Sequence, residues 1–278
     1  MADTTTQPAG ASELKLRIIS ALVMAAVVLV ATSVGGWLFA IVWTVVAVLV
    51  AREWYSITAP QSGQALLWVA AAAVLIACGA AQVGFVALAV LTPVFVGVAM
   101  PMIDGKNLID RNWLRAGVIY AAWLGVAVIL LRRVPGIGVY LILWSFAVVW
   151  LTDVAAYFTG RKFGGPKLWP SVSPKKTWSG FIGGAMAGTT GGLGIWLLAQ
   201  NAGQAASLGF FTVLLLSLTA SVLGQGGDLA ESALKRRFGI KDSGSMIPGH
   251  GGFMDRLDAY WAVVVFAAAI LLVAGGGR

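Results

Sequence analysis

Long apolar runs alternate along the chain with short polar breaks. Nine can be followed, over residues 16–34, 37–50, 65–80, 83–100, 116–131, 139–158, 178–198, 208–223 and 259–274. Within each run the apolar residues continue around every face, as in a helix with apolar material on all sides. A helix needs about 20 such residues to cross the hydrocarbon of a bilayer, so the shorter runs are expected to tilt little or to reach into the interface. The pattern predicts an all-α, polytopic integral membrane protein of about nine transmembrane helices.

The polar breaks set its orientation. With the N-terminus in the cytoplasm, one face of the membrane receives Lys15, Arg17, Arg52, Lys106, Arg111, Arg115, Arg161, Lys162, Lys167, Lys175, Lys176, Lys235, Arg236, Arg237, Lys241 and Arg256. Of the nineteen lysines and arginines, only Arg132, Arg133 and Arg278 fall on the other face. That is the bias of the positive-inside rule, and the dissenting Arg132–Arg133 pair is expected to snorkel to the interface. The expected topology is N-terminus in and C-terminus out, in a bacterial-type cytoplasmic (inner) membrane. Every carboxylate falls on the cytoplasmic face except Asp153, inside the sixth run. Residues 1–12 are polar and lack the pattern of a cleaved secretory signal, so the first run is expected to be retained. The expected organisation is a cytoplasmic tail over 1–15, N-terminal transmembrane helices over 16–131 and a catalytic transmembrane region over 132–278. The long cytoplasmic connections 160–177 and 224–258 are the expected working surface, with the active site at the cytoplasmic interface.

Composition narrows the chemistry. Of 278 residues, 59% are hydrophobic and 11% charged, against roughly 25% charged in a soluble domain; the mean hydropathy is +0.88. A soluble protein exposing this much apolar surface would aggregate. The net charge of +8 is accounted for by membrane topology, so no nucleic-acid partner is expected. The single cysteine, Cys78, excludes an intrachain disulfide and a cysteine-based zinc site. With His250 the only histidine, a metal would take oxygen ligands, which favours magnesium or a similarly hard cation.

Polar groups cluster in a few stretches. In "WLTDVAAYFTGRKFGG", Asp153 lies seven residues before Gly160, roughly 10 Å deeper at 1.5 Å per residue. A carboxylate at the bilayer centre costs about 2.5–3.5 kcal/mol on insertion scales. It marks either an ion pair that glues helices or a polar pocket open to the cytoplasm, with Tyr157 on the same face. In "SVSPKKTWSG", Ser173 reads as a helix N-cap, Pro174 as the first helical residue, and Lys175 and Lys176 as the first turn. Lysines at a positive helix end are unfavourable without an anion, so this is either a phosphate site or an ordinary positive-inside anchor. Gly180, Gly184, Gly188 and Gly192 then form a ridge for close packing, within the protein or between subunits.

"GQGGDLAESALKRRFGIKD" reads as a loop becoming a helix, with Asp228, Ser232 and Lys235 on one face and Glu231 four residues before Lys235. Its glycines lack the spacing of a dinucleotide fingerprint, and no P-loop occurs. Finally, "GIKDSGSMIPGHGGFMDRLD" holds His250 in a side-chain-poor turn whose backbone can approach a ligand and turn N–H groups toward an anion. Asp255 and Asp258 follow at i and i+3, with Arg256 between them. Carboxylates for a hard cation, cations for phosphate and glycines for close approach make a metal–nucleotide site.

The segment from Ser232 to Asp258 resembles the signature of the CDP-diacylglycerol synthases, also called phosphatidate cytidylyltransferases. That signature is S-x-apolar-K-R, then K-D, a small residue, and apolar-P-x-H-G-G-apolar-x-D-R-apolar-D, and every specified position is met. "TDVAAYFTGRKFGG", "SPKKTWSG" and "GQGGDLAES" are similar to that family's secondary motifs, so the resemblance runs from Thr152 to Asp258. It implies the reaction of CTP with phosphatidate to CDP-diacylglycerol and pyrophosphate. The family's paired metal-binding aspartates match Asp228 and Asp255, with Mg²⁺ as the expected ion and a monovalent cation such as K⁺ beside it. Asp228, Asp255, Lys235 and Arg256 are the expected catalytic residues. Substrate contacts are expected from Asp153, Ser173, Lys175, Lys176, Ser232, Lys241, Asp242, His250, Gly251, Gly252 and Asp258. A homodimer is compatible with the family and the glycine ridge. The alternatives are a CTP-dependent lipid kinase or a cytidylyltransferase for another lipid; a transporter stands behind both, because no internal repeat is seen.

Overall fold

The structure, a computed structural model, describes residues 9–60, 64–103, 108–204 and 208–275. The tail before Ala9, Lys106 and Arg278, all used in the orientation expectation, lie outside them. In chain order come α1 (Ala9–Val34), α2 (Gly36–Thr58), α3 (Gln64–Val83), α4 (Val86–Ile103), α5 (Leu108–Arg133) and α6 (Gly138–Phe163). A hairpin of β1 (Lys167–Trp169) and β2 (Ser173–Thr177) precedes α7 (Trp178–Asn201), α8 (Phe210–Arg237) and α9 (Met254–Val273). Eight of these helices are long and apolar enough to cross a membrane, and the ninth, α4, has a shorter apolar stretch containing Pro93 and Pro101. Each expected run matches one helix to within a few residues at its ends. Several helices outrun their apolar segment, α2 to Thr58 and α8 to Arg237.

Successive helices run in opposite directions, and polar ties fix both ends of the bundle. At one end Trp54 Nε1 donates to the Trp113 carbonyl at 3.0 Å and the Tyr55 hydroxyl to the Leu114 carbonyl at 2.8 Å, joining the end of α2 to the start of α5. At the other end Arg132 Nε donates to the Thr32 carbonyl at 2.8 Å and Arg133 to the Ala81 carbonyl at 2.5 Å. At this end the Arg132–Arg133 pair satisfies the last carbonyls of α1 and α3.

The core is centred on α5, the most buried of the membrane-length helices, and stacked rings tie α9 into it. Tyr260 stacks between Trp43 of α2 and Phe146 of α6, with ring centroids 5.3 and 4.9 Å apart. Trp261 stacks on Tyr120 at 4.6 Å and donates from Nε1 to the Tyr120 carbonyl. These rings hold the helix that carries the last carboxylates. The glycine ridge of α7 is used inside the protein. Gly180 and Gly184 lie against the backbone of α6 at Ala156 and Thr152, while Gly188 and Gly192 are wedged between α6 and Ser221 and Ser217 of α8.

Two local expectations are corrected. Residues 173–177 are not the first turn of a helix but strand β2, with Lys167 paired to Thr177 and Trp169 to Ser173. Thr177 is the N-cap of α7, its Oγ1 accepting from the Gly180 N–H. An N-cap and a residue before proline are both extended, so only the pairing with β1 separates the two conformations. "GQGGD" is not a loop but lies inside α8. Gly224 and Gly227 let α8 close onto α9 at Ala259 and Asp258, and Gln225 donates to the Phe181 carbonyl of α7. Packing on both sides offsets the helix cost of the glycines, about 1 kcal/mol each.

Candidate active site

The charged residues of the C-terminal half gather at one end of the bundle, where α6 and α8 stop and α7 and α9 begin. Lys235 is the joint. Its Nζ lies 2.6 Å from Asp255 Oδ1 on α9 and 3.2 Å from Glu231 Oε1 one turn earlier on α8. These side chains are nearly sealed, at 14% exposure for Lys235, 6% for Asp255 and 4% for Glu231. Asp228 sits nearer the surface. The hairpin brings Lys176 Nζ to 2.5 Å from its Oδ2, and Ser232 donates to its Oδ1 at 3.4 Å.

Further carboxylates face this pair. Asp258 lies beside Glu231 and within range of the Asp228 charge, and its Oδ1 accepts from the Ala259 N–H. Glu231 is buried, and although Lys235 is close, neither of its oxygens has a well-aligned hydrogen-bond donor among the described residues. Adjacent buried carboxyls need a proton or a cation between them. Asp153, accessible on α6, adds its charge to those of Asp228 and Asp258, countered by Lys176 and Arg256. Five carboxyls (Asp153, Asp228, Glu231, Asp255 and Asp258) thus share a site with Lys176, Lys235 and Arg256.

The turn before α9 is folded around its own anions. Asp255 Oδ2 accepts from the Ser243 and Gly252 N–H groups at 2.9 and 3.0 Å. Gly249 and Gly251 take φ of +75° and +87°, which side chains rarely adopt, to make the tight return in which Ile247 pairs with Gly251. Glu53 of α2 enters from the other side and accepts from Ser243 Oγ and from the Phe253 and Met254 N–H groups. His250 is held on α1, with Nδ1 2.7 Å from Ser20 Oγ, and its carbonyl accepts from Arg256 Nε. Partial burial, with Arg256 and Arg17 nearby, holds its imidazole below the ordinary histidine pKa, so it is neutral near pH 7.

Of the candidate residues, the structure brings together Asp153, Lys176, Asp228, Ser232, Lys235, Asp255, Arg256 and Asp258. Gly251 and Gly252 shape the turn, and the Gly252 N–H is occupied by Asp255. Ser173 is half-buried in β2, while Lys175, Lys241 and Asp242 are exposed at the rim. Tyr157 turns to Arg161, which donates to its hydroxyl at 2.9 Å. Glu53, Ser243 and Ser20 were absent from the expected set. Glu53 lies three residues past the second apolar run, and nothing in its own stretch of sequence marks it as a partner of α9.

Comparison with known proteins identifies the family. A family model described as the cytidylyltransferase family matches residues 15–274. A phosphatidate cytidylyltransferase of Brucella melitensis biotype 1 is 40% identical over 272 residues, 95% of this chain and 94% of that protein. Its counterpart in Brucella suis biovar 1 is 39% identical over the same shares. A phosphatidate cytidylyltransferase of Staphylococcus saprophyticus is 38% identical over 151 residues, 54% of this chain and 56% of that protein. With this match over nearly its whole length, the chain belongs to the cytidylyltransferase family and is a membrane-embedded nucleotidyltransferase.

Proposed function

We propose that the enzyme transfers the cytidylyl group of CTP to phosphatidate, giving CDP-diacylglycerol and pyrophosphate, at the cytoplasmic face of a bacterial inner membrane. The convergence of five carboxyls with Lys176, Lys235 and Arg256 at one end of an apolar bundle carries this assignment. Phosphatidate keeps its acyl chains in the bilayer, so its phosphate meets CTP at the membrane surface. The positive-inside bias supports a cytoplasmic location for this end of the bundle.

The attacking group is already an anionic phosphate oxygen, and no strong general base is required. Catalysis then consists of bringing two polyanions together, aligning the attack on the α-phosphorus and stabilising the departing pyrophosphate. Lys176, Lys235 and Arg256 are the cations that would offset phosphate charge, the two lysines held in place by Asp228 and Asp255. His250 and its turn border the same region.

The oxygen-only donor set fits magnesium, and Glu231, paired with Lys235 but set against Asp258 without a well-aligned hydrogen-bond donor among the described residues, supports a cation nearby. Among the described residues no three such groups form a closed metal cage. Magnesium commonly takes one or two carboxylates together with substrate phosphate oxygens and water. Asp228 and Asp255 would hold it, with Glu231 and Asp258 contributing charge, and bound there it would neutralise phosphate oxygens in the transition state.

The test is transfer from CTP labelled separately at the α- and γ-phosphates, with purified protein, phosphatidate micelles and Mg²⁺. Label entering lipid only from the α-position is expected. Entry from the γ-position would make the protein a lipid kinase, and no entry from either with folded protein would refute the proposal. Replacing phosphatidate with a polyprenyl phosphate tests the lipid.

A further inference from the structure

We infer that Glu53 is a positioning residue for the transfer, a carboxylate from the N-terminal half that caps α9 and sets where Asp255, Arg256 and Asp258 point. This rests on the proposed reaction. The first N–H groups of a helix need acceptors, and Phe253, at the N-cap of α9, supplies none from its side chain. Glu53 supplies them across about 200 residues of sequence. Its Oε1 accepts from the Phe253 N–H at 2.9 Å, and its Oε2 accepts from the Met254 N–H at 2.8 Å and from Ser243 Oγ at 3.1 Å. Glu53 is only 3% exposed and forms no ion pair among the described residues. A buried anion is stable there because three donors and the positive end of α9 surround it.

The neighbouring sequence is shaped to this carboxylate. A Cβ on Gly244 would stand 2.8 Å from Glu53 Oε1, and one on Gly252 would stand 2.6 Å from Oε2. The second glycine of "HGG" is therefore required by Glu53 as much as by any ligand. Ser243 couples the cap to the site, because its Oγ donates to Glu53 and accepts from the Asp255 N–H while its own N–H donates to Asp255 Oδ2. Asp255 in turn holds Lys235. Glu53 makes no hydrogen bond or ion pair with the charged groups expected to meet substrate, so it acts on them through this chain of contacts.

Glu53→Gln is the test, since its amide would put a donor against N–H groups that need acceptors. Because a misplacement of about 1 Å can cost 100-fold, kcat should fall on the order of 10- to 100-fold, with the KM for CTP changed less than about threefold. Hydrogen exchange should quicken over residues 243–258 while the other helices keep their protection. Turnover within about twofold of wild type would overturn the inference, even if thermal stability fell. Should Glu53→Gln not fold, Ser243→Ala removes one contact of the same chain, and its normal turnover would overturn the inference equally. If wild-type protein showed no cytidylyl transfer, the proposed reaction would fail, while unchanged exchange at 243–258 in Glu53→Gln would separately refute the cap.

Discussion

At the scale of the residue, the two lysine–carboxylate contacts differ in what they should do. Lys235 joins Asp255 and Glu231 where little water reaches. Removing one partner of a buried pair costs about 3–5 kcal/mol, because the other charge stays buried. Lys235→Met should therefore lower the chemical-denaturation midpoint, and adding Glu231→Gln should recover part of the loss. Additive losses would show that Lys235 and Glu231 are not coupled. Asp228, about a third exposed beside Lys176, is proposed for the cation site and has little structural weight. Asp228→Asn should keep the fold and lose roughly 1000-fold in Mg²⁺-dependent transfer; near-normal turnover would remove it from the cation site.

At the scale of the element, the glycines of α7 are not equivalent. A methyl group at Gly188 would press on Thr152, on Ser221 Oγ at 2.8 Å and on the Val148 carbonyl at 2.9 Å, whereas Gly194 has open space. Gly188→Ala should destabilise by about 1–3 kcal/mol through forced separation of helices, and Gly194→Ala by no more than about 0.5 kcal/mol. Thermal melts of the pair in detergent check this. Equal melting temperatures would mean that the ridge packs too loosely to matter. The small-residue period was legible in sequence; its partners were not, because Thr152 and Ser221 lie on other helices.

At the scale of the whole molecule, the expected orientation makes opposite predictions for the two ends of α7. In a Cys78→Ala background, Lys175→Cys should react with a membrane-impermeant maleimide only from the cytoplasmic side, and Asn201→Cys only from the other. The reverse pattern would invert the topology and move the site out of reach of cytoplasmic CTP. Both positions are exposed, so labelling reports membrane side and not burial.

Sequence alone determined the number and order of the apolar helices, the bias of positive charge and the charged stretches from Asp153 to Asp258. These follow from local quantities, hydropathy over a helix length and charge counted between helices, which need no knowledge of neighbours. Tertiary structure decided what a residue's own surroundings leave open. Residues 173–177 are a strand because β1 lies alongside, "GQGGD" stays helical because α7 and α9 pack against it, and Arg132 and Arg133 cap helices whose ends they meet only in the bundle. Glu53 shows the same division. Its charge is written in the chain, but the N–H groups that make a buried carboxylate stable belong to Phe253 and Met254, and only folding brings that acceptor to those donors.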